Sequence, residues 1–110
     1  MNTELRMTVP VARVLAALVA DPTGDHYGMA LMQSSELPSG TLYPILARLT
    51  EAGWLEKRWE EIDPSVAGRP ARAYYRLTPA ALPIARQRLA ELHEQTRTAP
   101  AHTVAKEATA

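Results

Sequence analysis

Between Ser65 and Leu77 the chain carries the arginines Arg69, Arg72 and Arg76 and no acidic residue. Guanidinium groups spaced this closely could hold phosphate oxygens, because each presents several donors in a planar fork. Glu60, Glu61 and Asp63 cluster just before them. Such a group could be imagined as a general acid pair or a cation site, but neighbouring acids at a loop edge are ordinarily solvated. A second stretch begins at Ser39. Ser39, Gly40, Thr41, Tyr43, Pro44 and Arg48 are small, hydroxylic, aromatic or cationic, and no acid occurs before Glu51. A helix starting with such residues can approach a polyanion, its free N–H groups favouring phosphate and its side chains reaching base edges. No pattern of equal weight points to catalysis. His26, His93 and His102 lack metal-ligand spacing, cysteine is absent, and neither Gly-rich stretch has the spacing of a phosphate loop. The residues therefore argue against an enzyme, a metal centre or a bound cofactor, and for contact with nucleic acid.

These residues need elements to position them. Thr8 can cap a first helix with Pro10 in its opening turn, and Val11, Val14, Leu15 and Leu18 then recur on one face. The turn-rich run Asp21-Pro22-Thr23-Gly24-Asp25 ends it. A shorter helix is expected from about Tyr27 to Ser34, burying Tyr27, Ala30 and Leu31, with Gly28 lowering its propensity. A third helix, over about 39–52, takes Ser39 or Thr41 as its cap and stops at Gly53. Its Leu42, Ile45, Leu46 and Leu49 share one face, which leaves Thr41, Tyr43, Pro44, Ala47 and Arg48 on the other. If Thr41 is the cap, Pro44 falls in the first turn and no backbone bond is lost.

After Gly53 the period drops to two. Leu55 and Trp59 alternate with Glu56, Arg58 and Glu60, and Ala73, Tyr75 and Leu77 with Arg72, Tyr74 and Arg76. Lys57 has the core-facing parity and is expected to snorkel. The Pro- and Gly-rich run from Ile62 to Pro70 separates the two strands, so they form an antiparallel hairpin with a long tip, a wing over 61–70. Arg69 lies at that tip, where it could reach a minor groove or backbone, and Arg72 follows on the outward face. Arg58 ranks below them because Glu56 and Glu60 flank it. Thr78-Pro79 signals a fourth helix reaching about Arg97. Its Leu82, Ala85, Leu89 and Leu92 make a narrow apolar seam of the kind that pairs with a partner helix. Pro100 should end it, leaving 99–110 as an unstructured tail.

The expected fold is mainly α with a small β-hairpin (α+β): a winged helix-turn-helix over 8–77 and a dimerisation helix over 78–98. The 110 residues suit one domain, and 46% apolar with 22% charged content is ordinary for a globular protein. Net charge is zero, though a local basic stripe can exist on a neutral protein. That neutrality favours the alternative reading, a winged helix used as a protein–protein interaction module. The apolar run Val9 to Ala20 is too short to cross a membrane, and Glu4 beside Arg6 is not a basic leader. Absence of cysteine fits a reducing cytoplasm.

The run Gly40-Thr41-Leu42-Tyr43-Pro44-Ile45-Leu46-Ala47-Arg48-Leu49, with His26-Tyr27-Gly28 before it and Gly53-Trp54-Leu55 after it, resembles the PadR-type winged-helix regulators. So does Gly68-Arg69-Pro70-Ala71-Arg72-Ala73-Tyr74-Tyr75-Arg76-Leu77-Thr78-Pro79, and the likeness extends over about residues 8 to 90. It implies a homodimeric, sequence-specific regulator, usually a repressor, bound to double-stranded DNA. In that family the segment matching Gly40 to Pro44 belongs to the recognition helix, the basic wing residues match Arg69 and Arg72, and the last helix supplies the dimer contact. A dimer implies a pseudo-palindromic operator with half-sites about one helical turn apart. Two departures stand out. Ala81 replaces a glycine frequent after the Thr-Pro pair. Some compact members bind flat aromatic ligands against tryptophans of the last helix, but Trp54 and Trp59 both lie on the first strand here.

Overall fold

The computed structural model describes the backbone of residues 1–109 and the side chains through Thr96. Helix α1 (Val9–Ala20) starts where Thr8 Oγ1 accepts the Val11 N–H at 3.3 Å, with proline in the first turn. It buries Val11, Ala12, Val14, Leu15 and Leu18. Strand β1 (His26–Tyr27) leads directly into α2 (Gly28–Ser35). The buried residues of α2 are Gly28, Leu31 and Ser35, three and four apart, so Ala30 turns outward instead of into the core as expected. Ser35 stays buried because its hydroxyl donates to the Leu31 carbonyl at 2.5 Å.

Helix α3 (Ser39–Glu51) buries Leu42, Ile45, Leu46 and Leu49 as its periodicity predicts. Its boundary residue is Pro38, whose carbonyl accepts from both Thr41 and Leu42, so neither Ser39 nor Thr41 serves as the cap. Pro44 consequently lies beyond the first turn, where its missing N–H does remove a helical bond. Burial of the four apolar residues on either side of it outweighs that loss, at about 1.5–3 kcal/mol for each. The helix ends with Gly53 in the left-handed region (φ 86°), Gly53 N–H donating to Thr50 and Trp54 N–H to Leu49. That reversal sends Trp54 into the core, fully buried, its indole N–H on the Asn2 carbonyl at 2.7 Å.

Among the described residues three strands form one antiparallel sheet in the order β1–β3–β2. Strands β2 (Leu55–Trp59) and β3 (Ala73–Leu77) make the hairpin, with Leu55 opposite Leu77, Lys57 opposite Tyr75 and Trp59 opposite Ala73. β1 pairs with the outer edge of β3, His26 opposite Tyr75, an addition too short for any periodic signal. On β2 only Leu55 is buried. Lys57 and Trp59 have the predicted parity, but the strand runs out past the core, so Trp59 is 58% exposed rather than inward. Between the strands, helix α4 (Pro64–Ala67) is a single turn, capped by Asp63, whose Oδ1 accepts from the Ser65 N–H and hydroxyl.

Thr78 does not cap the last helix. Its hydroxyl donates to the Gly53 and Trp54 carbonyls, and α5 (Ala81–Thr109) begins after a turn. Ala81 and Ala85 are wholly buried in the chain's own core, with Leu82, Ile84 and Leu89 packed on it. Of the seam expected to meet a partner, Ala85 is thus buried within the chain, while Leu82, Leu89 and Leu92 are half-buried. Ala85 is closed to any partner, whereas Leu89 and Leu92 both reach the surface between α1 and α5. The reason is α1, against which α5 packs. The helix runs past Pro100, so the boundary expected there is not one. The expected tail at 99–110 involves side chains outside the described residues.

Candidate nucleic-acid interface

The face of α3 opposite its leucines is open. Ser39, Gly40, Pro44, Ala47 and Arg48 are exposed, Thr41 is half-buried, and Tyr43 is 44% exposed. Ser39 and Gly40, the first helical residues, have N–H groups with no intrahelical acceptor. Tyr43 leans over the start of α2. A Cβ added to Gly28 would lie 2.2 Å from the Tyr43 hydroxyl, so a larger residue there would displace the ring from this position. The helical propensity lost at Gly28 is thus exchanged for room for the Tyr43 ring. Arg48, one turn further on, does not join Tyr43. It borders a separate depression with Glu4, Arg6 and Glu51.

The wing arginines part company. The Glu60 carboxylate receives the Arg69 guanidinium in a two-point contact, Nη1 to Oε1 at 2.7 Å and Nη2 to Oε2 at 3.0 Å. Oε1 also accepts the Arg72 backbone N–H at 2.8 Å, and the Glu60 N–H donates to the Arg72 carbonyl. These bonds continue the ladder one step beyond β2 and close the base of the loop. The Arg69 hydrogen bonds hold the Glu60 pKa down at about 2, against the desolvation that would raise it, with help from the Arg72 N–H and from the charges of both arginines. The Arg69 guanidinium, expected at the tip within reach of DNA, is instead folded back onto Glu60. A Gly- and Pro-rich loop without apolar anchors needs such a tie, and the acid read as solvated provides it. Arg72 is exposed, and its guanidinium donates no hydrogen bond among the described residues. Arg76 pairs with Asp25 across to β1, and Arg58 with Glu56 at 2.8 Å, as its acidic neighbours foretold.

Between α3 and the wing lies a concave groove of about 420 Å³, bordered by Tyr27, Tyr43, Tyr75, Lys57, Trp59 and Arg72. Lys57 Nζ stands 5.2 Å above the Trp59 ring. Sequence reasoning missed these two residues. The available signal was the length of β2: five residues extend about 17 Å, further than a single small core covers. At the far side of the molecule Val9, Ala16, Leu92 and His93 border a shallow face between α1 and α5. Among the described residues no group of His, Cys, Asp or Glu side chains could hold a metal ion, and no helix is long and apolar enough to cross a membrane.

Comparison with known proteins agrees with this geometry. The model of the transcriptional regulator PadR-like family matches residues 14–81. The structure of smu.1704 from Streptococcus mutans UA159 superposes with a TM-score of 0.63 at 26% identity, over 86% of this chain and 89% of that one. A PadR family transcriptional regulator from Eggerthella lenta gives 0.61 at 25% identity, over 79% and 78%. MepR of S. aureus, solved as a DNA complex, gives 0.61 at 14% identity over 94% and 80%, a likeness of fold alone. A comparison with curated proteins finds no match. With the family model spanning the winged helix from α1 to the start of α5, the chain belongs to the PadR-like family of transcriptional regulators and has the fold of a winged-helix DNA-binding regulator.

Proposed function

We propose that this protein is a homodimeric repressor that binds a specific double-stranded DNA sequence, with residues 39–52 in the major groove and the wing over 61–70 on the backbone or minor groove. The observation that carries the reading is the α3 surface itself, open from Ser39 to Arg48 and free of acids until Glu51. Ser39, Gly40 and Thr41 offer N–H and hydroxyl donors to phosphate, while Tyr43, Pro44 and Arg48 face the bases. On the wing, Arg72 carries the phosphate contact and Arg69 sets the loop that presents it. MepR, solved as a DNA complex and similar in fold, is in keeping with DNA as the partner. Dimerisation uses the shallow α1–α5 face, where Val9 is 64% exposed and Leu89 and Leu92 are available, with Leu82 and Ala85 packed on the core of the same helix. A dimer seated on its operator represses by occupying it.

The test is selection of bound duplexes from a random library, followed by affinity as a function of salt. A two-fold related consensus and a slope of several units, about 0.9 for each phosphate neutralised, are expected. Absence of binding at low salt would overturn the reading and leave a protein-interaction module. Leu92→Glu should give monomers by sedimentation with the fold intact. An unchanged dimer would remove the α1–α5 face from the interface.

A further inference from the structure

Residues 1–7, ahead of α1, form a strap that is pinned at both ends. At one end the Asn2 N–H donates to the Ala52 carbonyl at 2.9 Å, and the Asn2 carbonyl accepts the Trp54 indole N–H at 2.7 Å. The corner between α3 and β2 is thereby bound to Asn2 from two sides. A Cβ added to Gly53 would come within 3.3 Å of the Met1 Cα, so the strap lies directly on that corner. Further along, Leu5 is 6% exposed and joins the core, with Met7 packed against it. The Glu4 N–H donates to Asn2 Oδ1 and the Leu5 N–H to the Thr3 carbonyl, so the strap is curled and has no slack.

The other end is held by Arg88 of α5. Its Nη2 donates to the Leu5 carbonyl at 2.6 Å and its Nη1 to the Thr3 carbonyl at 3.4 Å. Arg88 is half-buried and makes no ion pair among the described residues. Its planar fork is used to grip two backbone carbonyls at once, which the single ammonium of a lysine matches poorly. What this grip joins decides what it does. Helix α3 carries the open face offered to DNA, and α5 carries a face offered to a partner, yet the two helices share little direct contact. Helix α1 packs against both and is one link between them. The strap is the second.

We infer that Arg88 is a positioning residue: through the strap it fixes α3 relative to α5, and so sets the half-site spacing that the dimer accepts. Both the dimer and the DNA-facing use of α3 are taken from the proposed function, on which this role rests. A two-fold axis at α5 repeats any tilt of α3 in the second protomer. The two α3 faces, set about one helical turn of DNA apart, would then drift together or apart by twice the error of one. An arginine that merely stabilised the fold would, when removed, weaken binding at every spacing by the same factor. One that positions α3 changes the ratio between spacings.

Two variants of the full chain test this role. Arg88→Met keeps the stem and loses the donors, and Arg88→Lys keeps the charge without the fork. The first measurement uses no DNA. Hydrogen exchange of the Trp54 indole N–H, which is seated on Asn2, should quicken about tenfold in Arg88→Met and less in Arg88→Lys, with the Leu46 amide inside α3 unchanged. Unaltered exchange at Trp54 would show that Arg88 does not hold the strap. Equal quickening at Leu46 would make it a residue of overall stability. Either result overturns the assignment. The second measurement moves the selected half-sites together or apart by one base pair. The wild type should prefer its own spacing about tenfold. Arg88→Met should reduce that preference by about threefold or more, with the dimer retained in sedimentation and the affinity for a lone half-site within about twofold. A spacing preference that is absent in the wild type, or unchanged in the variant, overturns the role even if all affinities decline. If Arg88→Met does not fold, Arg88→Lys decides by the same two readings. If the wild type binds no DNA, the proposed function fails and the spacing role falls with it, while exchange at Trp54 still decides whether Arg88 holds the strap.

Discussion

Helix α3 and the wing are built on opposite principles. Helix α3 is fixed by four buried apolar residues, Leu42, Ile45, Leu46 and Leu49, and its other face is left free. The wing has no buried residue from Glu56 to Tyr74, and the base of its loop is tied by one carboxylate, Glu60, holding Arg69 and the Arg72 backbone. The difference teaches where each region is vulnerable. The helix can change almost any outward residue without moving, whereas the wing depends on a few polar ties for its shape, Glu60 at its base and Asp63 at its tip. A side chain that looks like a DNA contact by type, Arg69, is paired within the wing, and the acid that looks repulsive, Glu60, ties the loop.

Four substitutions sharpen this contrast. The largest effect is expected for Leu46→Ala, where a fully buried side chain leaves a cavity and stability drops by about 2–5 kcal/mol in chemical denaturation. A loss below ~1 kcal/mol would mean that α3 is not anchored by its core face. Tyr43→Ala should leave unfolding unchanged within about 0.5 kcal/mol, as at a surface site, yet reduce specific operator affinity tenfold or more. Equal affinity would exclude Tyr43 from the contact.

Glu60→Gln comes next and tests the sign. Removing a negative charge near DNA should strengthen binding if Coulomb forces alone decide. If the acid shapes the wing, affinity falls severalfold in an electrophoretic or fluorescence assay. Greater affinity would show that Arg69, once released, reaches the duplex. The pH dependence follows the same logic. The carboxyl titrates at about 2 in the folded chain against 4.5 ordinarily, so its contribution to folding is complete above pH 4.5 and is lost as pH falls toward 2. A carboxyl titration of Glu60 followed by NMR with a midpoint near 4.5 would contradict the tie. Arg72→Ala is the smallest change. It should lower affinity for all sequences alike and reduce the salt slope by about 0.9, one phosphate contact. A loss confined to one base position would make Arg72 a reader of sequence.

Much of the architecture was legible because its signals are local. Leu42, Ile45, Leu46 and Leu49 announce α3 by period, the alternation from Ala73 to Leu77 announces β3, and Thr8 announces the start of α1. Reading failed where a residue's role depends on a partner far along the chain. β1 exists because β3 has an open edge, not because His26 and Tyr27 have a pattern. Glu60 and Arg69 are nine residues apart and meet only when the loop closes. The seam of α5 has the spacing of a partner helix, and nothing in that spacing says that the chain's own core takes Ala85 from it.

The amino-acid order by itself therefore determined the winged-helix layout and the acid-free face of α3, since both follow from periodicity and from residue type within a single element. Tertiary structure alone decided which cations remain available, which face of α5 is left for a partner, and that tyrosines from separate elements border one groove with Lys57 and Trp59. The physical reason is range. Backbone propensity and amphipathic period act over a few residues, but ion pairing and burial depend on distances in space that only the folded chain sets.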